Sequence, residues 1–184
     1  GQLLKTGGSG ANPSWTDAPS GSVPIVETFN NTIAFFSTAN YYAFNDVTAL
    51  DTTITPSSAS SKILVMVHLD CATDTHHYMM QFRIQRKIGS GSFGNTVTNG
   101  YSGNDSLASS RSVRAEYDSN GGATLQGTFV DIPNTTRAVT YRIGVNPSSG
   151  SGTMYLNRNS SNGNNNSRWQ RAYACKVIAI ELKQ

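Results

Sequence analysis

Three histidines and two aspartates crowd one stretch of the chain: His68, Asp70, Asp74, His76 and His77. Imidazoles and carboxylates bind divalent ions, and metal ligands come in such clusters. On a strand, His68 and Asp70 would share a face, because side chains repeat every second residue. His76, however, lies beyond "CATDT", a sequence that reads as a turn. The spacing therefore fits the polar end of a hairpin better than a metal centre. One histidine per chain ringing an axial ion in a threefold assembly is the second reading of the same residues. The two cysteines, Cys71 and Cys175, sit in apolar runs without a C-x-x-C partner, so no zinc module is expected. Free Cys is among the most buried residue types, and two buried thiols are expected here.

"GSGSFG" (89–94) comes after a strand-like run and matches G-x-G-x-x-G. Cradling a phosphate with that motif needs a helix to open directly after it, so that amides and dipole face the anion. The next residues, "NTVTNGYSGND", do not read as such a helix. The motif reads as a Gly-rich hairpin loop, and no cofactor is expected. Acid–base catalysis has little to work with: of 11 acids only three are Glu, no pair stands in a cleft-like context, and no G-x-S-x-G occurs. The expectation is a protein that is not an enzyme.

Arg158, Arg168, Trp169 and Arg171 flank the low-complexity run "NSSNGNNNS" (159–167), and Tyr101 lies in the long Gly/Asn-rich loop 88–108. Aromatic faces stack on sugar C–H surfaces while Arg, Asn and Ser satisfy hydroxyls. Tyr101, Arg158, Arg168 and Trp169 are therefore the candidate binding residues, with a polysaccharide as the ligand class. The plainer alternative is that Trp169 only packs at a sheet edge.

Strands must position these loops. Gly, Ser, Asn and Thr interrupt nearly every window, and no capped helix of three turns is readable. "VPIVETFN", "TIAFF", "NYYAFNDV", "LDTTITP", "SKILVMVHLDC", "HYMMQFRIQRK", "RSVRAEY", "ATLQGTFVDI", "RAVTYRIGV", "GTMYLNR" and "RWQRAYACKVIAIELKQ" each read as a strand. Leu50, Thr52 and Ile54 share a parity; so do Ile63, Val65, Val67 and Leu69; so do Tyr78, Met80, Phe82 and Ile84. Leu64 and Met66 make 62–71 apolar on both faces, as expected for a strand covered twice. In the closing strand Ala174, Ile178, Ile180 and Leu182 share one parity, interrupted by Lys176, and Tyr173, Cys175 and Val177 the other. The pattern predicts an all-β antiparallel β-sandwich, jelly-roll-like, over 23–184, preceded by an extended connector over 1–22 that Trp15 anchors.

Charge excludes some partners. The chain has 184 residues, 14 Lys and Arg against 11 Asp and Glu, and a net charge of +3. The basic residues are scattered, so the footprint of a nucleic-acid binder is missing. No apolar run reaches membrane-spanning length, and no membrane insertion is expected.

The opening "GQLLKTGGSGANPSW" resembles the G-x-[LIV]-L-x-[ST]-x-G-x-G-x-x-P-x-W segment of bacteriophage tail-fibre proteins, with Gly1, Leu4, Gly8, Gly10, Pro13 and Trp15 at the matching positions. "ITPSSASSKILVMV" (54–67), "DIPNTTRAVTYRI" (131–143) and "KVIAIELKQ" resemble text recurring in phage virion proteins of marine and cyanobacterial type. The resemblance implies a β-sandwich head, a homotrimer, contacts with other virion proteins and a virion location. Within it, a distal tail-fibre head that attaches to host-surface polysaccharide is expected, with a capsid decoration protein that binds no receptor as the alternative.

Overall fold

The computed structural model describes residues 2–5, 10, 12–17, 25–30, 34–37, 44–73, 80–95, 110–111, 122–146, 153–157 and 174–182. Every regular element among them is a strand: β1 (Gln2–Lys5), β2 (Ser14–Asp17), β3 (Ile25–Asn30), β4 (Ala34–Ser37), β5 (Asn45–Ile54), β6 (Lys62–Thr73), β7 (Gln81–Ile88), β8 (Gly94–Asn95), β9 (Ser110–Arg111), β10 (Gly122–Asp131), β11 (Val139–Asn146), β12 (Thr153–Leu156) and β13 (Cys175–Leu182).

The long strand β6 organises the first sheet. Along one edge it pairs with β10, from Gly122↔Ala72 to Asp131↔Ile63 without a register shift. Its other edge is shared by two strands in line: β13 covers Lys62 to His68 and β12 covers Cys71 to Thr73. The next layer repeats the division, with β3 on β13 and β4 on β12. The second sheet runs β5–β11–β7, with β8 and β9 side by side on the far edge of β7. If β3/β4, β8/β9 and β12/β13 each count as one interrupted strand, the orders are β3/4–β12/13–β6–β10 and β5–β11–β7–β8/9. That is an eight-stranded jelly roll, two antiparallel sheets face to face.

The core lies between the sheets and follows strand parity. Ile63, Val65, Val67 and Leu69 of β6 face Phe82 and Ile84 of β7 and Tyr141, Ile143 and Val145 of β11, all buried. Leu50, Thr52 and Ile54 are buried on β5, as their parity predicts. "NYYAFNDV" and "LDTTITP" contribute to one strand, β5, whose pairing with β11 shifts register between Tyr141 and Ile143. In β13 the inner face is Cys175, Val177, Ala179 and Glu181, while the more apolar parity, Ile178, Ile180 and Leu182, turns outward. Cys71 and Cys175 are both free and buried. Tyr78 and most of "RSVRAEY" lie outside the described residues.

The amino-terminal segment departs from expectation. Part of it is a β-hairpin, with Leu4 opposite Trp15 and Gln2 opposite Asp17, and not a single extended connector. Trp15 is 66% exposed in the single chain. An apolar residue on a hairpin gains burial only if another surface covers it, because two strands alone have no interior.

Candidate functional site

Strand register sorts the connections onto two ends of the sandwich. At one end stand Ile54 and Lys62, Ile88, Asp131 and Val139, and Leu182. At the other stand Thr73, Gln81, Gly122, Asn146, Thr153 and Asn45. We call these the tight end and the loop end.

The tight end is closed by hydrogen bonds. Glu181 is fully buried, and its Oε1 accepts from Ser57 N–H and Ser57 Oγ, both at 2.7 Å, and from Ser61 Oγ at 2.5 Å. This ties the turn "TPSSASS" to the closing strand. Asp131 bridges the sheets: Arg86 Nη1 donates to both its carboxylate oxygens at 2.7 and 2.9 Å, and Tyr141 Oη donates at 2.8 Å. Burial, then the Asp131 charge, pushes the Tyr141 phenol well above its ordinary range, so it stays a donor. Asn134 takes φ 51° in the turn after β10, a conformation Asn tolerates. "GSGSFG" belongs to this end too, as the turn between β7 and β8: Gly89 has φ 55°, its N–H reaches Ala138 O at 2.8 Å, and a Cβ there would collide with the Arg137 guanidinium.

The described strands that flank 74–79 and 147–152 end at the loop end, as does the start of β10 after 112–121, and Asn157 and Ala174, which flank 158–173, lie just below it. Tyr101, Arg158, Arg168 and Trp169 all lie outside the described residues, as do Asp74, His76 and His77. The structure does place the points where their segments leave and rejoin the sheets. The segment with Tyr101 leaves β8 beside Gln85 and returns at β9 beside Gln81 and Phe82, on one edge of β7. The segment with Arg158, Arg168 and Trp169 leaves after Asn157 and returns at Ala174, both beside Asp70.

That second junction satisfies its polar groups one by one. Asn157, at φ 61°, donates its N–H to Asp70 O at 3.0 Å, and its Oδ1 accepts from Cys175 N at 2.9 Å. Asp70 Oδ2 accepts from Ala174 N at 3.3 Å, and Oδ1 from Thr124 Oγ1 at 2.8 Å. Gln126 Nε2 lies 2.9 Å from His68 Nδ1, and His68 Nε2 lies 3.3 Å from Asp70 Oδ2. So β12 and β13 are one strand opened at Asp70, and the two ends of the opening are pinned to the same residue. Sequence reasoning singled out His68 and Asp70 but missed Asn157; the one signal was an Asn, tolerant of left-handed backbone, just ahead of the polar run. Burial holds both thiols protonated and inert, Cys175 at about 12 and Cys71 higher. Among the described residues, no three His, Cys, Asp or Glu side chains converge on a point.

Next to this junction the outer face of the first sheet holds a shallow groove of about 290 Å³. Its floor is Met66 and Ile178, and its sides are His68, Gln126, Thr128 and Lys176. The outer face of the second sheet is different in kind. Arg142 binds Asp51 through two nitrogens at 2.9 and 2.6 Å and lies over the Phe93 ring at 4.0 Å, and Arg83 lies over Phe44 at 4.9 Å and 3.6 Å from Asp46. The hydrogen bond to Asp51 holds the Arg142 guanidinium even more firmly protonated than usual.

The chain matches no protein-family model and no curated protein. It is similar to the chain in the crystal structure of the infectious bursal disease virus VP2 subviral particle, at 12% identity and TM-score 0.37, over 100% of this chain and 42% of that one. The structure of the Gx strain of the same virus gives 12% identity and TM-score 0.36 over 98% and 41%. Its T=1 particles give 10% identity and TM-score 0.38 over 98% and 40%. The chain thus spans about two fifths of the length of the solved chains it matches.

Proposed function

We propose that this chain is a structural domain of a phage virion, the distal head of a tail fibre, which attaches the particle to polysaccharide on the host surface. The observation that carries the reading is the division of the sandwich into two ends. The text that resembles phage virion proteins builds the tight end: "TPSSASS" and Glu181 close on each other, and "DIP" supplies Asp131. The points at which the polar, aromatic-bearing segments join the sheets lie away from that end, on the edge of β7 and beside Asp70. Binding residues commonly sit on loops held by a rigid scaffold, and a jelly roll with stitched turns is such a scaffold. Tyr101, Arg158, Arg168 and Trp169 are the proposed contacts, with no catalytic step and no cofactor. Self-association, as a trimer, is part of the reading: the outer face of the first sheet keeps Leu64, Met66, Ile178 and Ile180 on the surface side, and linked heads gain avidity from weak single contacts.

Electron microscopy of virions labelled with antibody against this domain tests the location. Label at the fibre tips is the expected result. Label over the capsid shell would overturn the tail-fibre reading and leave the decoration protein in its place.

A further inference from the structure

We infer that the amino-terminal hairpin is an exchanged arm: Trp15 of one copy seats in the groove over Met66 and Ile178 of a second copy. Several apolar side chains are exposed among the described residues, Ile25, Val130 and Ile132 included, and two of the uncovered surfaces match in size and character. The first is Trp15, 66% exposed on a hairpin whose own two strands cannot bury it. The second is the groove, where Met66 and Ile178 lie between the polar side chains of His68, Gln126, Thr128 and Lys176; Met66 itself is 39% exposed. At about 290 Å³ the groove falls just short of the usual range for small-molecule pockets, roughly 300–1,000 Å³. A single large aromatic side chain is the scale of object it accommodates.

Charge agrees with the pairing. The strand that carries Trp15 ends in an acid, Asp17, and Lys176, which lines the groove, is paired with Glu27 at 3.7 Å while both side chains stay nearly half exposed. Reach agrees as well. Residues 18–24 can extend up to about 26 Å, and Ile25 pairs with Ile180, two residues from Ile178. The hairpin therefore starts within reach of its own groove, yet in the single chain Trp15 stands outside it. One donor and one acceptor per chain, on different surfaces, make a head-to-tail contact that closes as a ring in an assembly of rotational symmetry. The inference rests on the self-association in the proposed function and locates it; it does not depend on what the loops bind.

The test uses the whole chain. A photocrosslinking p-benzoylphenylalanine is placed at position 15, and light and heavy isotope-labelled copies are mixed before irradiation. Mixed-label crosslinks from position 15 to the peptide carrying Met66 or Ile178 are expected. In sedimentation velocity, Trp15→Ala and Met66→Lys should each weaken self-association at least tenfold while melting like the parent, since neither side chain is in the core. If the parent self-associates but crosslinks map to another surface or only within one chain, the exchanged arm is wrong and the self-association stands. If the parent stays a monomer at all concentrations, both are wrong. Loss of host adsorption with assembly intact would bear on the proposed attachment alone.

Discussion

Arg86 and Asp131 join the two sheets through a single nitrogen that bonds both carboxylate oxygens, at 2.7 and 2.9 Å. Asp131 is the last residue of β10 and is 6% exposed; Arg86 comes from β7 in the facing sheet. Asp131→Ala would strand a largely buried guanidinium and take away the acceptor of Tyr141. Loss of one partner of a buried pair costs about 3–5 kcal/mol. Urea titration should show that loss at pH 7, and the triple variant Asp131→Leu, Arg86→Met, Tyr141→Phe, which leaves none of the three polar groups stranded, should recover most of it. A loss under about 1 kcal/mol in the single variant, the range of an exposed pair, would mean the strut carries no weight.

Glu181 makes the second closure. Replacing it with Ala leaves the buried Ser61 hydroxyl without its acceptor, at a cost of about 1–3 kcal/mol for that group alone. Ser57→Ala removes an exposed hydroxyl from the same acceptor and should cost less, about 0.5–1.5 kcal/mol. Thermal melts of the two variants should rank in that order; equal melting points would show that the turn 55–61 is held by something else.

Alkaline pH should unfold this protein early. Burial raises Cys175 from its ordinary value of 9.0 to about 12 and raises Cys71 and Tyr141 further still. The fold thus favours the protonated forms. The stability tied to Cys175 is fully present below about pH 9 and is lost progressively as pH rises from about 9 to about 12. Urea midpoints measured at pH 7, 9 and 10.5 should fall between the last two, and Cys175→Ala should flatten that fall. At pH 8 the native thiols should resist a thiol reagent that labels the urea-unfolded chain at once.

Gly127 faces the core from β10, where a Cβ would lie 2.5 Å from Phe129 Cε2 and 2.9 Å from Phe82 Cζ. The two rings meet edge to face, with centroids 6.0 Å apart. Gly127→Ala should force them apart and destabilise by about 1–3 kcal/mol, as overpacking does. An unchanged melting temperature would show that the rings relax freely.

Parity made most of the sheet interior legible in the sequence. Ile63, Val65, Val67 and Leu69, and Leu50, Thr52 and Ile54, alternate with period two, and burial follows that period. β13 was harder, because its apolar parity is the outward one: Glu181 goes inside to meet Ser57 and Ser61, and no pattern of hydrophobicity announces a buried carboxylate with partners 120 residues away or more. The hairpin of the first residues was also illegible, since Gly, Ser and Asn suit a turn and an extended ribbon equally. The interruption of β12/β13 at Asp70 depends on which strand β6 pairs with at each point, which is long-range information. The candidate residues Tyr101, Arg158, Arg168 and Trp169 were chosen on residue chemistry alone, and the structure adds the sites at which their segments join the sheets.

Adsorption of the purified domain to host cells tests the attachment most directly. The parent is compared with Tyr101→Ala, Arg158→Ala and Trp169→Ala, and with Thr136→Ala, an exposed residue at the tight end, each first shown to melt like the parent. The account predicts that at least one of the three loop variants loses most of its binding while Thr136→Ala binds as the parent does. Parental adsorption by all three loop variants would contradict it.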